Sequence, residues 1–143
     1  MVYEKVIEFK KKYPLTVGWR IKAHSKIVEM NLNPGETVKY AFVAQKGASH
    51  LDIITTNVVV LTNKRIILGH KRLLFGYFYT AITPDLFNDL KLHSGLFWGK
   101  VYIDTITELV VLSNIQKSAL LEIETVVSEY MIREKKKYGQ NTK

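Results

Sequence analysis

The chain contains four histidines, His24, His50, His70 and His93, and no cysteine. Imidazoles ligate zinc, but a helical pair needs i, i+4 spacing and a mixed site needs thiolates. None of the four is so spaced, and all read as ordinary surface or core residues. The run Ser49-His50-Leu51-Asp52 holds the residue types of a hydrolytic triad. A triad is assembled across a fold, with the nucleophile on a strained turn and a separate oxyanion hole, which neighbours in one loop do not reproduce. Asp85, Asp89, Asp104 and Glu108 are the other carboxylates of the middle region. Paired-carboxylate hydrolysis or magnesium binding would require them to share a cleft. Asp85 and Asp89 follow Pro84, where turn chemistry accounts for them. There is no P-loop and no Gly-x-Gly-x-x-Gly. The chain is therefore not expected to be an enzyme, and neither a metal nor a small-molecule cofactor is expected.

Binding chemistry is better represented. Lys+Arg is 21 against 13 Asp+Glu, a net charge of +8 over 143 residues, which draws a protein to polyanions and acidic surfaces. The charge is skewed toward the N-terminal part, with clusters at Lys10-Lys11-Lys12 and Lys135-Lys136-Lys137, which also suit solvated helix ends. The run His70-Lys71-Arg72-Leu73-Leu74-Phe75-Gly76-Tyr77-Phe78-Tyr79 places cations before a greasy, aromatic stretch. A basic collar beside exposed apolar side chains suits an anionic membrane surface. The competing reading is strand alternation between core and surface, with Leu73 and Leu74 covering a barrel end. Leu96-Phe97-Trp98-Gly99 is a second greasy loop with the same ambiguity. Interleaved cations and aromatics could stack single-stranded bases, but no nucleic-acid motif accompanies them, so that partner is disfavoured.

These residues need elements to position them. Val2, Val6, Phe9 and Tyr13 recur at helical spacing and Pro14 ends the helix. Residues 16–31 suit either a strand or a helix starting after Thr16, and length favours the helix. Asn33-Pro34-Gly35-Glu36 is a turn. After it come about seven short, closely spaced strands with no long helix between them: 37–45, 57–61, 65–70, 77–83, 86–92, 97–103 and 106–112. The tight turn at Asn63-Lys64 places Asn63 where a left-handed conformation is wanted. Arg65 then starts the return strand, its stem on apolar surface and its head free to reach a carboxylate or carbonyl. The last element is an amphipathic helix over 114–136. Ser113 and Gln116 form a capping box at its start, and Ile115, Ala119, Ile123, Val126, Val127 and Tyr130 lie on one stripe. Leu121 and Ile132 fall off that stripe and are candidates for contact with the N-terminal helices or a partner.

The hairpin Val58-Val59-Val60-Leu61-Thr62-Asn63-Lys64-Arg65-Ile66-Ile67-Leu68 resembles that of bacterial pleckstrin-homology (PH) domains, and is most similar to the YokE-like group. The turn Leu32-Asn33-Pro34-Gly35-Glu36, the stretch Phe75-Gly76-Tyr77 and the spacing to Ser113-Asn114-Ile115 fit the same group. The resemblance covers residues 32–136. It implies an α+β, PH-like fold: a seven-stranded antiparallel β-barrel or sandwich capped by a C-terminal α-helix, with the N-terminal helices packed outside. The expected organisation is a helical extension over 1–33, the PH-like domain over 34–138 and a frayed tail over 139–143.

Fold does not fix function. Eukaryotic relatives of the fold often bind phosphoinositides through Lys and Arg of the first inter-strand loop; here that loop, 46–56, offers only Lys46 and His50. The expectation is a non-enzymatic binding module engaging a protein partner or its own copy. The alternative is peripheral binding to anionic membrane lipid, and a nucleic-acid binder or small hydrolase ranks last. The candidate binding residues are Lys46, His50, His70, Lys71, Arg72 and Phe75. No apolar run reaches spanning length and the N-terminus is too interrupted by charge for a signal peptide, so a cytoplasmic protein, at most peripheral to the membrane, is expected.

Overall fold

The computed structural model describes residues 1–47 and 53–141. Two helices come first, α1 (Val2–Lys12) and α2 (Ile21–Met30). α1 forms because Val2, Val6 and Phe9 share a face and are buried, while Lys10, Lys11 and Lys12 fill the last turn, where the helix dipole favours cations. α2 is shorter than a helix starting after Thr16. Arg20 adopts a left-handed conformation (φ 55°) immediately before it, and the preceding residues form turns and bends that lie against the sheet. There the Val17 amide donates to the Asn114 carbonyl (2.9 Å) and the Trp19 amide to Thr56 Oγ1 (3.2 Å).

Seven antiparallel strands follow: β1 (Val38–Lys46), β2 (Thr56–Thr62), β3 (Ile66–Lys71), β4 (Tyr77–Ile82), β5 (Phe87–Ser94), β6 (Trp98–Thr105) and β7 (Leu109–Gln116). A short 3-10 turn, Ile53–Thr55, leads into β2. The order is β4-β3-β2-β1-β7-β6-β5. β4 and β5 are not paired with each other, so the sheet curls into a half-barrel rather than closing. β1 and β7 pair only at Gln45↔Ser113 and Lys46↔Leu112, leaving a seam beside the first half of β1.

Two buried clusters flank the sheet. On the concave side, Phe42, Val59, Leu61, Ile66, Leu68, Phe87, Val101, Ile103 and Leu112 pack with the C-terminal helix. On the other side, Ala41, Val43, Val58, Val60 and Ile67 pack with Val2 and Val6 of α1 and Val28 of α2. Burial on both faces explains the unbroken apolar run Val58–Leu61, where one-sided burial would give alternation. The N-terminal helices do pack outside, but α1 also enters the concave core: Phe9 and Tyr13 belong to it, with ring centroids of Phe9 and Phe42 5.9 Å apart. The seam is tied by Tyr40 Oη donating to Glu122 Oε2 (2.8 Å) and by a Lys12–Glu122 ion pair.

Two local expectations are corrected. Asn63 is not left-handed: the positive-φ non-glycine residues are Arg20 and Asn114. Thr62 closes the turn instead, its Oγ1 accepting from the Lys64 and Arg65 amides (3.1 Å each) while its own amide donates to the Arg65 carbonyl (2.9 Å). Ser113 and Gln116 do not cap a helix. They lie in β7, where Ser113 Oγ donates to the Gln45 carbonyl (3.2 Å) and the Gln116 amide to Thr16 Oγ1 (3.0 Å).

The C-terminal helix begins at Lys117 as a 3-10 turn. It continues as α3 (Leu120–Ile123), a π segment (Glu124–Ser128) and α4 (Glu129–Asn141). It therefore persists past residue 138 into the stretch where fraying is expected; residues 142–143 lie outside the described ones. Its buried stripe is Ala119, Ile123, Val127 and Met131, each four apart. An α-helix repeats about every 3.6 residues, so such a stripe drifts around it unless a wider turn absorbs the excess, which the π segment does. Leu121 and Ile132 face solvent.

Candidate functional site

The open end of the half-barrel gathers the end of β1, the Ile53–Thr55 turn, the start of β2 and the β3–β4 hairpin. A pocket of about 380 Å³ sits there, lined by Lys46, Ile54, Asn57, Leu68, His70 and Phe78 among others. Beside it, Ile54, His70 and Phe78 also border a depression shared with Arg72, Leu73, Leu74 and Phe75. The hairpin tip is closed by the Arg72 amide donating to the Gly76 carbonyl (3.0 Å), and Gly76 has φ 75°, which a side chain would disfavour. Leu74 and Phe75 are each 82% exposed. Arg72 lies over the Phe78 ring, 5.4 Å from its centroid, which holds the cation beside the apolar surface.

Of the candidate residues, Lys46, His70, Arg72 and Phe75 line these two depressions, while Lys71, the next residue along β3, borders a separate depression against α2 with Lys26 and Met30. His50 lies outside the described residues, as does the rest of Ser49-His50-Leu51-Asp52. His70 is partly buried, its Nδ1 2.7 Å from the Thr56 carbonyl. Its ring stacks on His24 of α2, with centroids 4.7 Å apart. His24 is fully buried and its Nδ1 accepts the Lys71 amide (2.8 Å). Burial, and then the neighbouring His70 and Arg20, push the His24 pKa down to about 4, so it is neutral at physiological pH. Arg20 adds a further tie, Nη1 donating to the Lys71 carbonyl (3.1 Å). α2 and its left-handed lead-in thus brace the hairpin's base. Spacing alone gave no signal of this, because His24 and His70 are far apart in the chain.

The second greasy loop lies elsewhere. Leu96 and Phe97 lie in the β5–β6 turn and Trp98 opens β6, the turn being closed by the Gly95 amide donating to the Trp98 carbonyl (2.9 Å). Trp98 pairs in register with Gln116, the far end of β7 from Leu112, which meets the end of β1. All three side chains are exposed.

The carboxylates do not assemble a cleft. Thr83 Oγ1 donates to Asp85 Oδ1, and the Leu90 amide to Asp89 Oδ1 (2.8 Å). Asp89 and Asp104 are cross-strand neighbours on exposed surface. Asp104 and His93 border one shallow depression on β5 and β6, with no hydrogen bond or ion pair between them among the described residues. Groups of three or more His, Asp or Glu able to hold a metal ion are absent among the described residues. No helix of the described residues is long and apolar enough to cross a membrane.

A family model described as a bacterial PH domain matches residues 32–129. A pleckstrin homology domain from Shewanella amazonensis SB2B is similar in structure, with a TM-score of 0.50 and 16% identity, covering 78% of this chain and 86% of that one. A DUF1696 family protein with a pleckstrin-homology domain, from Shewanella loihica PV-4, gives a TM-score of 0.48 at 12% identity, covering 78% and 95%. No curated protein matches the chain. The matched span runs from the turn before β1 into the C-terminal helix, and the chain belongs to the bacterial PH domain family.

Proposed function

We propose that this chain is a non-catalytic binding module that docks on an anionic membrane surface through the open end of its half-barrel. PH domains are generally binding modules, and the family membership supports that much. The carrying observation is the hairpin tip. Leu74 and Phe75 project at 82% exposure with Lys71 and Arg72 at their base and no acidic residue between 71 and 82. Exposed apolar side chains inside a cationic collar match a bilayer whose headgroups attract the cations while the tip enters the acyl boundary. A protein partner is the first expectation from the sequence; the exposure of the tip supports the membrane alternative.

The test is co-sedimentation with vesicles of phosphatidylglycerol and phosphatidylcholine in equal parts, against phosphatidylcholine alone. Binding only to the anionic vesicles, weakened by salt, is expected. Lys71→Ala with Arg72→Ala weakens it about thirtyfold, taking about 1 kcal/mol for each cation near the surface. Absence of binding at low salt sinks the reading.

A second reading has its own observation. β4 and β5 each pair with a single neighbour, leaving two strand edges for a second copy or an extended peptide. Light scattering addresses it: a strict monomer at high concentration removes self-association.

A further inference from the structure

Resting on the membrane reading above, we infer that Leu15, Trp19, Leu96, Phe97 and Trp98 form a second anchoring strip, so that an anionic bilayer is met along a line from the β3–β4 hairpin to the β5–β6 turn. The two greasy turns are linked through named contacts. Ile54 borders the same depression as Leu73, Leu74 and Phe75. Thr56 Oγ1, three residues from Ile53, donates to the Ile53 carbonyl (2.7 Å) and accepts the Trp19 amide (3.2 Å). Arg20, beside Trp19, donates to the Lys71 carbonyl at the hairpin's base. At the other end of this short irregular segment, the Leu15 carbonyl accepts Trp98 Nε1 (2.7 Å). Residues 15–20 are therefore strung between the two greasy turns.

Exposure and charge both point to lipid. Leu96 is 80% exposed, and both tryptophans remain open to solvent, Trp19 at 38% and Trp98 at 41%. Tryptophan favours the headgroup level, where its apolar body and polar N–H are both accommodated. Residues 15–20, 71–78 and 95–100 include Arg20, Lys71, Arg72 and Lys100 and not one Asp or Glu. That is the complement of an anionic surface. A single shallow anchor gives only marginal, reversible attachment, and stable attachment takes a second signal. The strip supplies that second signal and fixes the orientation of the domain. Leu15, Trp19 and Arg20 lie outside the residues 32–129 that match the family, so this part of the surface belongs to the chain's own N-terminal extension.

Trp19 and Trp98 are the only tryptophans, so each single-Trp variant reports one point of the strip. The full chain carrying Trp19→Phe, and separately Trp98→Phe, is mixed with the equal phosphatidylglycerol and phosphatidylcholine vesicles, with and without brominated lipid. A blue-shifted emission quenched by the brominated lipid is expected in both variants. Leu15→Ser with Leu96→Ser, two exposed positions, should weaken vesicle binding at least about tenfold. Vesicle binding with unaltered Trp98 emission overturns the strip while leaving the hairpin dock standing. No vesicle binding at all overturns both. Emission that shifts with protein concentration alone, without vesicles, assigns the strip to copy–copy contact and overturns the lipid assignment.

Discussion

Arg65 grips Glu36 with two arms: its Nε lies 2.9 Å from Oε2 and its Nη2 3.0 Å from Oε1. The same Nη2 donates to the Asn31 carbonyl (2.9 Å), and Thr62 Oγ1 donates to Glu36 Oε2 (2.6 Å). The Asn33 amide completes the set on Oε1 (2.9 Å). The turn before β1 and the β2–β3 turn, which carry the family's sequence resemblance, are thus bound to each other through one buried carboxylate. Removing one partner of a buried pair leaves the other charge without compensation. Arg65→Ala should cost about 3 kcal/mol or more, and Arg65→Lys less, since it keeps the charge but loses the bidentate geometry. Urea unfolding measures both; a loss under 1 kcal/mol for Arg65→Ala, by the weak-surface-pair standard, would place the pair among inconsequential ones.

The same carboxylate sets an acid limit. Burial pushes the Glu36 pKa up, but Arg65, the Asn33 amide and Thr62 together outweigh it and hold it at about 2, against 4.5 for a free glutamate. A depressed carboxylate contributes stability that is whole above pH 4.5 and lost as the pH falls from 4.5 through 2. Glu36→Gln should be less stable at neutral pH and flatter across that window. Unfolding curves with the same acid slope in both proteins would contradict it.

His24 predicts a different window. Its folded pKa of about 4 lies below the ordinary 6.5, so the unfolded chain takes up the proton first. Stability is whole above pH 6.5, falls between 6.5 and 4, and loses nothing more from this group below 4. His24→Asn retains an acceptor near Nδ1 for the Lys71 amide without titrating there. It should remove that part of the pH slope. Imidazole nitrogen shifts should report His24 with Nδ1 unprotonated at pH 7, since it accepts from Lys71.

The N-terminal helices pack into the buried clusters on both sides of the sheet. A Cβ on Gly69 would stand 2.6 Å from Val28 Cγ2 and 3.3 Å from the His24 carbonyl oxygen, so α2 sits directly on β3. Gly69→Ala should cost about 1–3 kcal/mol by overpacking. Deleting residues 1–31 removes Phe9 and Tyr13 from the concave core and bares Ala41, Val43, Val58, Val60 and Ile67. The shortened chain is expected to aggregate and to bind a hydrophobic dye. A soluble, cooperatively unfolding 32–143 fragment would show the helices to be dispensable.

The strands were legible because turn residues punctuate them, and the hairpin tip because Lys71-Arg72-Leu73-Leu74-Phe75 is conspicuous in any fold. What stayed hidden depends on distant partners. Ser113-Asn114-Ile115-Gln116 reads locally as a helix start, and only the partners Gln45 and Thr16 hold it in β7. Asn63 and Thr62 are both turn formers, and only the geometry assigns the work to Thr62. Phe9 and Tyr13 look like one face of a surface helix until the β1–β7 seam admits them. Trp19 had no local signature at all, because its exposure follows from the left-handed Arg20 and the tether to Thr56.

Stability and docking should separate cleanly at the hairpin tip. Leu74 and Phe75 are 82% exposed and lie outside both buried clusters. Exposed substitutions away from special features usually change stability by about 0.5 kcal/mol or less. Leu74→Ser with Phe75→Ser should therefore leave the unfolding midpoint almost unmoved while abolishing most vesicle binding, because the inserted apolar area is what the two side chains contribute. Lys71→Ala with Arg72→Ala should act differently. It should weaken binding most at low salt and progressively less as salt screens the attraction, since screening already removes that contribution from the parent protein. A tip variant that binds vesicles as well as the parent, with its fold intact, would transfer the docking role away from this hairpin.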